Sequence, residues 1–350
     1  MRRPEDTRLG RAKAAFAALV RLSALLVAAG SAVGLASCAT DPEELAAARE
    51  SALAAHPLVR PYADSEFVDF EGFRLHALRW EPDPLRFPRP RGKVLLVHGF
   101  GGSVFGWRLL APALSGAGYS VLAFDYPPFG HSSASAAELS GQASGTPTAR
   151  AALLWRLLER EPLPETGPAA SGRGWILVGH SLGGRIAAHM AATRPDSVRA
   201  LVLVAPAVYG KAGPPGIVRL LGSGASRGLE RYLLDITRFK ALLGRVFGRD
   251  ATKEEFEGYW APFLRPGIAG ALLAWSKTSG GDATPNLGAV AAPTLVLWGS
   301  ADRIVRPAGE RLVGDLRDAR YSSIEGAGHC PMETHAPAVN APILDFLDPL

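Results

Sequence analysis

The chain has 350 residues, 47% of them hydrophobic and 20% charged. That excludes a wholly disordered or fibrous protein, and at this length a core forms without metal or disulfide support. Lysine and arginine outnumber aspartate and glutamate by 38 to 33, but the first 37 residues hold six of the bases and two of the acids, leaving 32 against 31 in the rest. A body this close to neutral gives no electrostatic case for binding nucleic acid. Two cysteines, Cys38 and Cys330, are too few for a disulfide framework or a four-thiolate zinc site. No metal and no organic cofactor are expected.

The N-terminal segment is basic up to Arg21, and residues 22–36 carry no charge. A membrane-spanning helix needs about 20 apolar residues. This shorter stretch fits the apolar part of an export signal. It ends in Leu35-Ala36-Ser37-Cys38. Small residues before a cysteine in that context resemble the lipobox of bacterial lipoproteins. The resemblance implies a signal peptide over 1–37, lipid attachment at Cys38 and a tether over 38–62. An ordinary signal peptide with Cys38 incidental, or an uncleaved anchor, are the competing readings. All three place the body outside the cytoplasm, at a membrane.

Residues 66–80 alternate apolar and polar around Glu71-Gly72, the signature of a hairpin. A proline-rich stretch from Pro82 to Pro90 breaks the pattern. Val94–Val97 is a short continuous apolar run, suited to a strand buried on both faces. It leads into His98-Gly99-Phe100-Gly101-Gly102 and a helical stretch around Trp107–Leu114. Residues 120–126 form the next apolar run, and 133–148 read as a surface loop. Leu153, Leu154, Leu157 and Leu158 give 149–161 an apolar helical face. Strands are predicted at 175–178, 200–206, 294–298 and 319–324, and helices at 182–193 and 336–347. Strands alternating with helices predict a mostly parallel sheet covered on both faces. Residues 208–285 break the rhythm. They hold helix-like pieces at 216–223, 227–247, 252–264 and 267–277 and no convincing strand. Such an insertion reads as a helical cap over the C-terminal edge of the sheet. The core is thereby divided into 63–207 and 286–350.

Chemistry concentrates in Gly179-His180-Ser181-Leu182-Gly183, which lies between a predicted strand and a predicted helix. This is the G-x-S-x-G nucleophile elbow in its expected context. Flanking glycines let backbone pass close by, and the turn lifts the hydroxyl to a helix N-terminus. A serine hydroxyl needs a base. Of eight histidines, His329 lies in a loop after the last predicted strand, where it can reach over the strand ends. His98 reads as structural, tying down the loop after its strand; the His180 side chain, inside the elbow beside the serine, should point elsewhere; and His131 lies in a loop near the expected pocket. The base needs a carboxylate to fix its tautomer. Asp302 follows the strand at 294–298, and the chain order Ser181, Asp302, His329 is the order this kind of sheet uses.

Five stretches stand in the same order as in the α/β-hydrolase superfamily: HGFGG at 98–102, DYPPFGHS at 125–132, GHSLGG at 179–184, WGSADRIV at 298–305 and the segment 328–347. From about Phe67 to Leu347 the chain resembles that superfamily, in its capped subgroup of carboxylesterases, carbon–carbon bond hydrolases, epoxide hydrolases and haloalkane dehalogenases. The resemblance implies an eight-stranded, mostly parallel sheet flanked by helices, with an all-helical cap after strand 6. It assigns Ser181, Asp302 and His329 as the catalytic triad and the amides of Phe100 and Leu182 as the oxyanion hole. A serine at the elbow, where epoxide hydrolases and dehalogenases carry aspartate, implies acyl chemistry on a small-molecule substrate. Trp107, Phe129, Tyr259 and Trp260 are the expected pocket residues. Pro128, where the family usually has glycine, and His180, where its carbon–carbon hydrolases often have asparagine, depart from the pattern. The second departure tilts the reading toward a simple esterase. Carbon–carbon cleavage, and perhydrolase or acyltransferase chemistry on the same triad, remain alternatives. A binding module that has lost its catalytic residues is disfavoured, because all three positions are filled.

Overall fold

The structure is a computed structural model that describes residues 42–55, 62–133, 145–160, 174–209, 224–278 and 283–350. The expected signal peptide, Cys38, the predicted helix at 216–223 and most of the loop at 133–148 lie outside the described residues. Among the described residues the sheet has eight strands: β1 (Glu66–Phe70), β2 (Phe73–Trp80), β3 (Gly92–Val97), β4 (Tyr119–Phe124), β5 (Trp175–His180), β6 (Val198–Val204), β7 (Thr294–Gly299) and β8 (Ala319–Ile324). Their order is β1-β2-β4-β3-β5-β6-β7-β8. Only β2 runs against its neighbours; the pairs from β4 through β8 are parallel.

The strand sequences explain this order. β3 (GKVLLV), β5 (WILVGH), β6 (VRALVLV) and β7 (TLVLWG) are near-continuous apolar runs, and they occupy the centre, buried on both faces. β1 and β8 carry more polar residues and sit at the edges, where one side meets water. The β1–β2 hairpin turns at Glu71 and Gly72, both at positive φ (50° and 82°), the conformation that matches strand twist.

The covering helices are α1 (Pro42–Ala55), α2 (Ala111–Gly116), α3 (Pro147–Leu158), α4 (Leu182–Thr193), α5 (Gly224–Leu234), α6 (Ile236–Phe247), α7 (Lys253–Trp260), α8 (Ile268–Thr278), α9 (Gly309–Asp315), α10 (Pro331–Thr334) and α11 (Ala336–Leu347). The helix expected around 107–114 is instead a 3₁₀ turn at Val104–Trp107 followed by α2. None of the described helices is long and apolar enough to cross a membrane. α5 to α8 lie between β6 and β7 and are joined without a strand. The sequence predicts one helix over 227–247, but the structure has two. Asp235 leaves the helical conformation (φ −78°, ψ 103°) and its carboxylate accepts from the Arg238 amide, starting α6 afresh. α7 begins with a capping box, Thr252 and Glu255 bonding each other's backbone amides. Arg249 then clamps the Glu255 carboxylate at 2.7 and 2.8 Å.

Candidate active site

Ser181 stands between β5 and α4 at φ 53°, ψ −118°, a region an L-residue occupies only under strain of about 1–3 kcal/mol. Neighbouring backbone holds it there. Its amide donates to the Val204 carbonyl (3.0 Å), and its carbonyl accepts from the Ala207 amide (2.9 Å). The glycines make the turn sterically feasible. A Cβ on Gly183 would lie 2.1 Å from the Val97 carbonyl oxygen, and one on Gly179 would lie 2.5 Å from that of Gly183.

His329 follows β8, and Asp302 follows β7. The structure brings both to Ser181. His329 Nε2 is 2.9 Å from Ser181 Oγ, and His329 Nδ1 is 2.8 Å from Asp302 Oδ2. The Asp302 carboxylate also accepts from the amides of Ile304 (2.8 Å) and Val305 (3.0 Å) and from Trp298 Nε1 (3.1 Å). Burial opposes its charge, but His329 and the two amides hold its carboxyl below the usual range. An ionised Asp302 can only accept, so Nδ1 of His329 carries the hydrogen. In the neutral ring Nε2 is then an acceptor for the Ser181 hydroxyl. All three residues are buried.

Several further groups fix His329. The His329 amide donates to the Val246 carbonyl (2.9 Å), one of the carbonyls at the end of α6 that the helix itself cannot satisfy. The helical insertion thus grips the histidine loop. His180 Nε2 donates to the His329 carbonyl at 2.9 Å. Burial and the neighbouring His329 push the His180 ring down to about 3, so it stays neutral. The sequence points the His180 side chain elsewhere and gives it no role toward His329. Cys330 is buried, and burial raises its thiol well above the ordinary range.

Leu182 is the first residue of α4, and Phe100 follows the His98-Gly99 pair. Both border a cavity of about 180 Å³ in front of Ser181. His98 braces that loop. Its Nδ1 donates to the Gly99 carbonyl (2.8 Å), while Nε2 accepts from the Tyr126 amide (3.3 Å). Burial lowers its pKa, consistent with a neutral ring. The cavity wall is largely apolar and comes from both parts of the chain. Trp107, Ile304 and Met332 face it from the core; Leu229, Leu243, Phe263 and Leu272 face it from the insertion.

Of the expected pocket residues, Trp107 and Tyr259 line the cavity. Phe129 and Trp260 do not, and both expectations are corrected. Phe129 stands behind the wall, its ring 5.2 Å from that of Phe100 and 5.4 Å from that of Trp275. Trp260 is fully buried inside the insertion. Its Nε1 donates to the Leu233 carbonyl (2.7 Å) and its ring stacks on Phe256. One step along α7 turns a side chain by about 100°, so Tyr259 and Trp260 cannot share a face. His131, expected near the pocket, instead meets His76 edge-on at 5.3 Å. The Tyr259 hydroxyl donates to Glu333 Oε1 (2.8 Å), whose other oxygen accepts from Arg108. This trio, which the sequence did not reveal, joins the insertion, α10 and the segment after the His98–Gly102 loop. Among the described residues no group of three or more His, Cys, Asp or Glu is arranged to hold a metal.

The model of the alpha/beta hydrolase fold matches residues 93–336, and the chain belongs to that family. Among curated relatives it is 30% identical over 263 residues to the uncharacterized hydrolase YugF of Bacillus subtilis, a match covering 73% of this chain and 90% of that one. It is 29% identical over 270 residues to a 2-hydroxy-6-oxo-6-phenylhexa-2,4-dienoate hydrolase of Burkholderia cepacia, covering 73% and 87%. Among solved structures, a membrane phospholipase A described as a bacterial virulence factor superposes with a TM-score of 0.61 at 24% identity, over 87% of this chain and 92% of that one. That likeness is one of fold.

Proposed function

We propose that this member of the family is a serine hydrolase that cleaves a carboxylic ester or related acyl bond of a small apolar substrate. The reading rests on one observation above the rest: the Ser181 hydroxyl, hydrogen-bonded to a histidine of fixed tautomer, borders a mostly apolar cavity. In the proposed reaction His329 takes the Ser181 proton as Oγ attacks the substrate carbonyl. The amides of Phe100 and Leu182 hold the oxyanion. His329 then protonates the departing alkoxide, leaving an acyl-enzyme. Water, deprotonated by the same ring, repeats the attack, releases the acid and restores the serine. The test is hydrolysis of short and medium p-nitrophenyl esters beside the Ser181→Ala variant. Turnover that vanishes with Ser181→Ala supports the reading; unchanged turnover overturns it.

A second reading is carbon–carbon bond cleavage of an activated ketone. It is favoured by the relative whose name is that of a 2-hydroxy-6-oxo-dienoate hydrolase. Such a substrate offered alongside the esters separates the two by relative kcat/KM. We also carry forward the proposal that the chain is exported and lipid-anchored at Cys38, on the strength of Leu35-Ala36-Ser37-Cys38. Incorporation of labelled fatty acid that survives Cys38→Ala would refute it.

A further inference from the structure

A second serine–histidine–aspartate row stands at the β1–β2 end of the sheet. His76 Nδ1 is 2.7 Å from Asp125 Oδ2, and His76 Nε2 is 2.7 Å from Ser65 Oγ. The fold assembles it from hairpin register. Phe67 on β1 pairs with His76 on β2, and Ser65, which immediately precedes β1, stands two residues before Phe67, within reach of His76. Phe124 on β4 pairs with Ala77, which sets Asp125 beside His76. His76 and Asp125 are buried and Ser65 is half-buried.

Asp125 is as firmly held as Asp302. Its Oδ1 accepts from the Val104 amide (2.7 Å) and its Oδ2 also accepts from the His131 amide (2.7 Å). Burial opposes its charge, but the hydrogen bond and charge of His76 hold the carboxyl below its usual range. An ionised Asp125 only accepts, so Nδ1 of His76 carries the hydrogen. In the neutral ring Nε2 then accepts from the Ser65 hydroxyl. That is the arrangement a base adopts toward a nucleophilic serine. The rings of Phe67 (5.2 Å) and His131 (5.3 Å) pack against His76.

The surroundings of Ser65 differ from an elbow. It leads into a strand rather than a helix, and the next residue is Glu66, whose carboxylate accepts from Arg79 at 2.9 Å. Neither would stabilise a developing oxyanion. We propose that Ser65 is a second, base-activated nucleophile that takes an acyl group from activated esters once and releases it slowly. Oγ forms a bond to the acyl carbon as the ester C–O bond breaks. The Ser65 proton passes to His76 Nε2 and from there to solvent, and the stable phenolate leaves. This inference is independent of the role proposed for Ser181.

The experiment uses the full chain carrying Ser181→Ala, with p-nitrophenyl acetate as probe. Peptide mass spectrometry reads the acetylated positions over time. Ser51, exposed on α1, is the internal reference in the same digest. Acetylation of Ser65 should outpace that of Ser51 by about 100-fold, the low end of general-base assistance. It should fall to the Ser51 rate with His76→Gln and disappear with Ser65→Ala. Equal rates at Ser65 and Ser51 overturn the proposal without any His76 variant, so a misfolded His76→Gln chain does not spare it. Undiminished acetylation of Ser65 in a folded His76→Gln chain overturns it as well.

Discussion

The two serine–histidine–aspartate rows have nearly the same internal geometry and different surroundings. Around Ser181 the backbone is strained to φ 53°, a helix starts at the next residue, and a cavity of about 180 Å³ opens in front of the hydroxyl. Ser65 instead leads into the edge strand β1, and a carboxylate-bearing residue follows it. The row itself can arise wherever strand register sets a histidine between an acceptor and a hydroxyl. What differs is the apparatus around it: a helix that starts at the next residue, a bordering cavity and glycines that let the turn form. That apparatus supports assigning turnover to Ser181 and single acylation to Ser65.

The largest effect that would break this contrast is on ester turnover. Ser181→Ala should lower kcat by about a million-fold, the scale on which removing an activated serine acts. A smaller loss under steady-state assay would mean that another nucleophile turns over. Asp302→Asn should cost about 10,000-fold, because an amide can donate to Nδ1 and favours the wrong tautomer of His329. The pH–rate profile of that variant should change along with kcat. A loss of kcat with the profile intact would assign Asp302 a structural role. On the side of the scaffold, Gly183→Ala should destabilise by about 3 kcal/mol or more, since its Cβ would fall 2.1 Å from a backbone oxygen that cannot yield. Denaturant unfolding measures that directly. A mild effect would show that the elbow is more plastic than its contacts imply.

How much of this was legible in the sequence depended on how local the signal is. The elbow is a strand, a glycine-bordered turn and a helix in one unbroken stretch from Trp175 to Thr193, and each leaves a mark on the chain. Asp302 and His329 lie far from Ser181 in sequence, yet each follows a predicted strand, and their order was informative. The break between α5 and α6 was hidden because the apolar stripe continues across it. Asp235 was the available clue, as a strong cap residue inside that stripe. Tyr259 and Trp260 read alike as aromatic pocket candidates, and only the helical turn between them separates wall from core. The Ser65 row left no local pattern. Its three members span 60 residues and meet through the β1–β2 and β2–β4 registers, which sequence alone sets loosely.

The smallest effect concerns the wall that Tyr259 presents beside Ser181. Burial lifts the Glu333 carboxyl to about 7, despite its hydrogen bonds from Arg108 and Tyr259. The unfolded chain would titrate this group near 4.5. Between those values the folded state holds a proton that the unfolded state has lost, so the contribution to stability is full below pH 4.5 and fades as pH rises through 7. Over pH 5 to 8 the decline is about 2 kcal/mol. Glu333→Gln keeps the shape of the group and removes its titration. The stability difference, wild type minus variant, should therefore fall by that amount from pH 5 to pH 8. A flat difference would mean that Arg108 keeps Glu333 ionised throughout. The Tyr259 hydroxyl would then face a permanent carboxylate, and the cavity wall would hold one charge state across the working pH range. If the difference falls as expected, the KM of an apolar ester should shift through the same interval in the wild type alone.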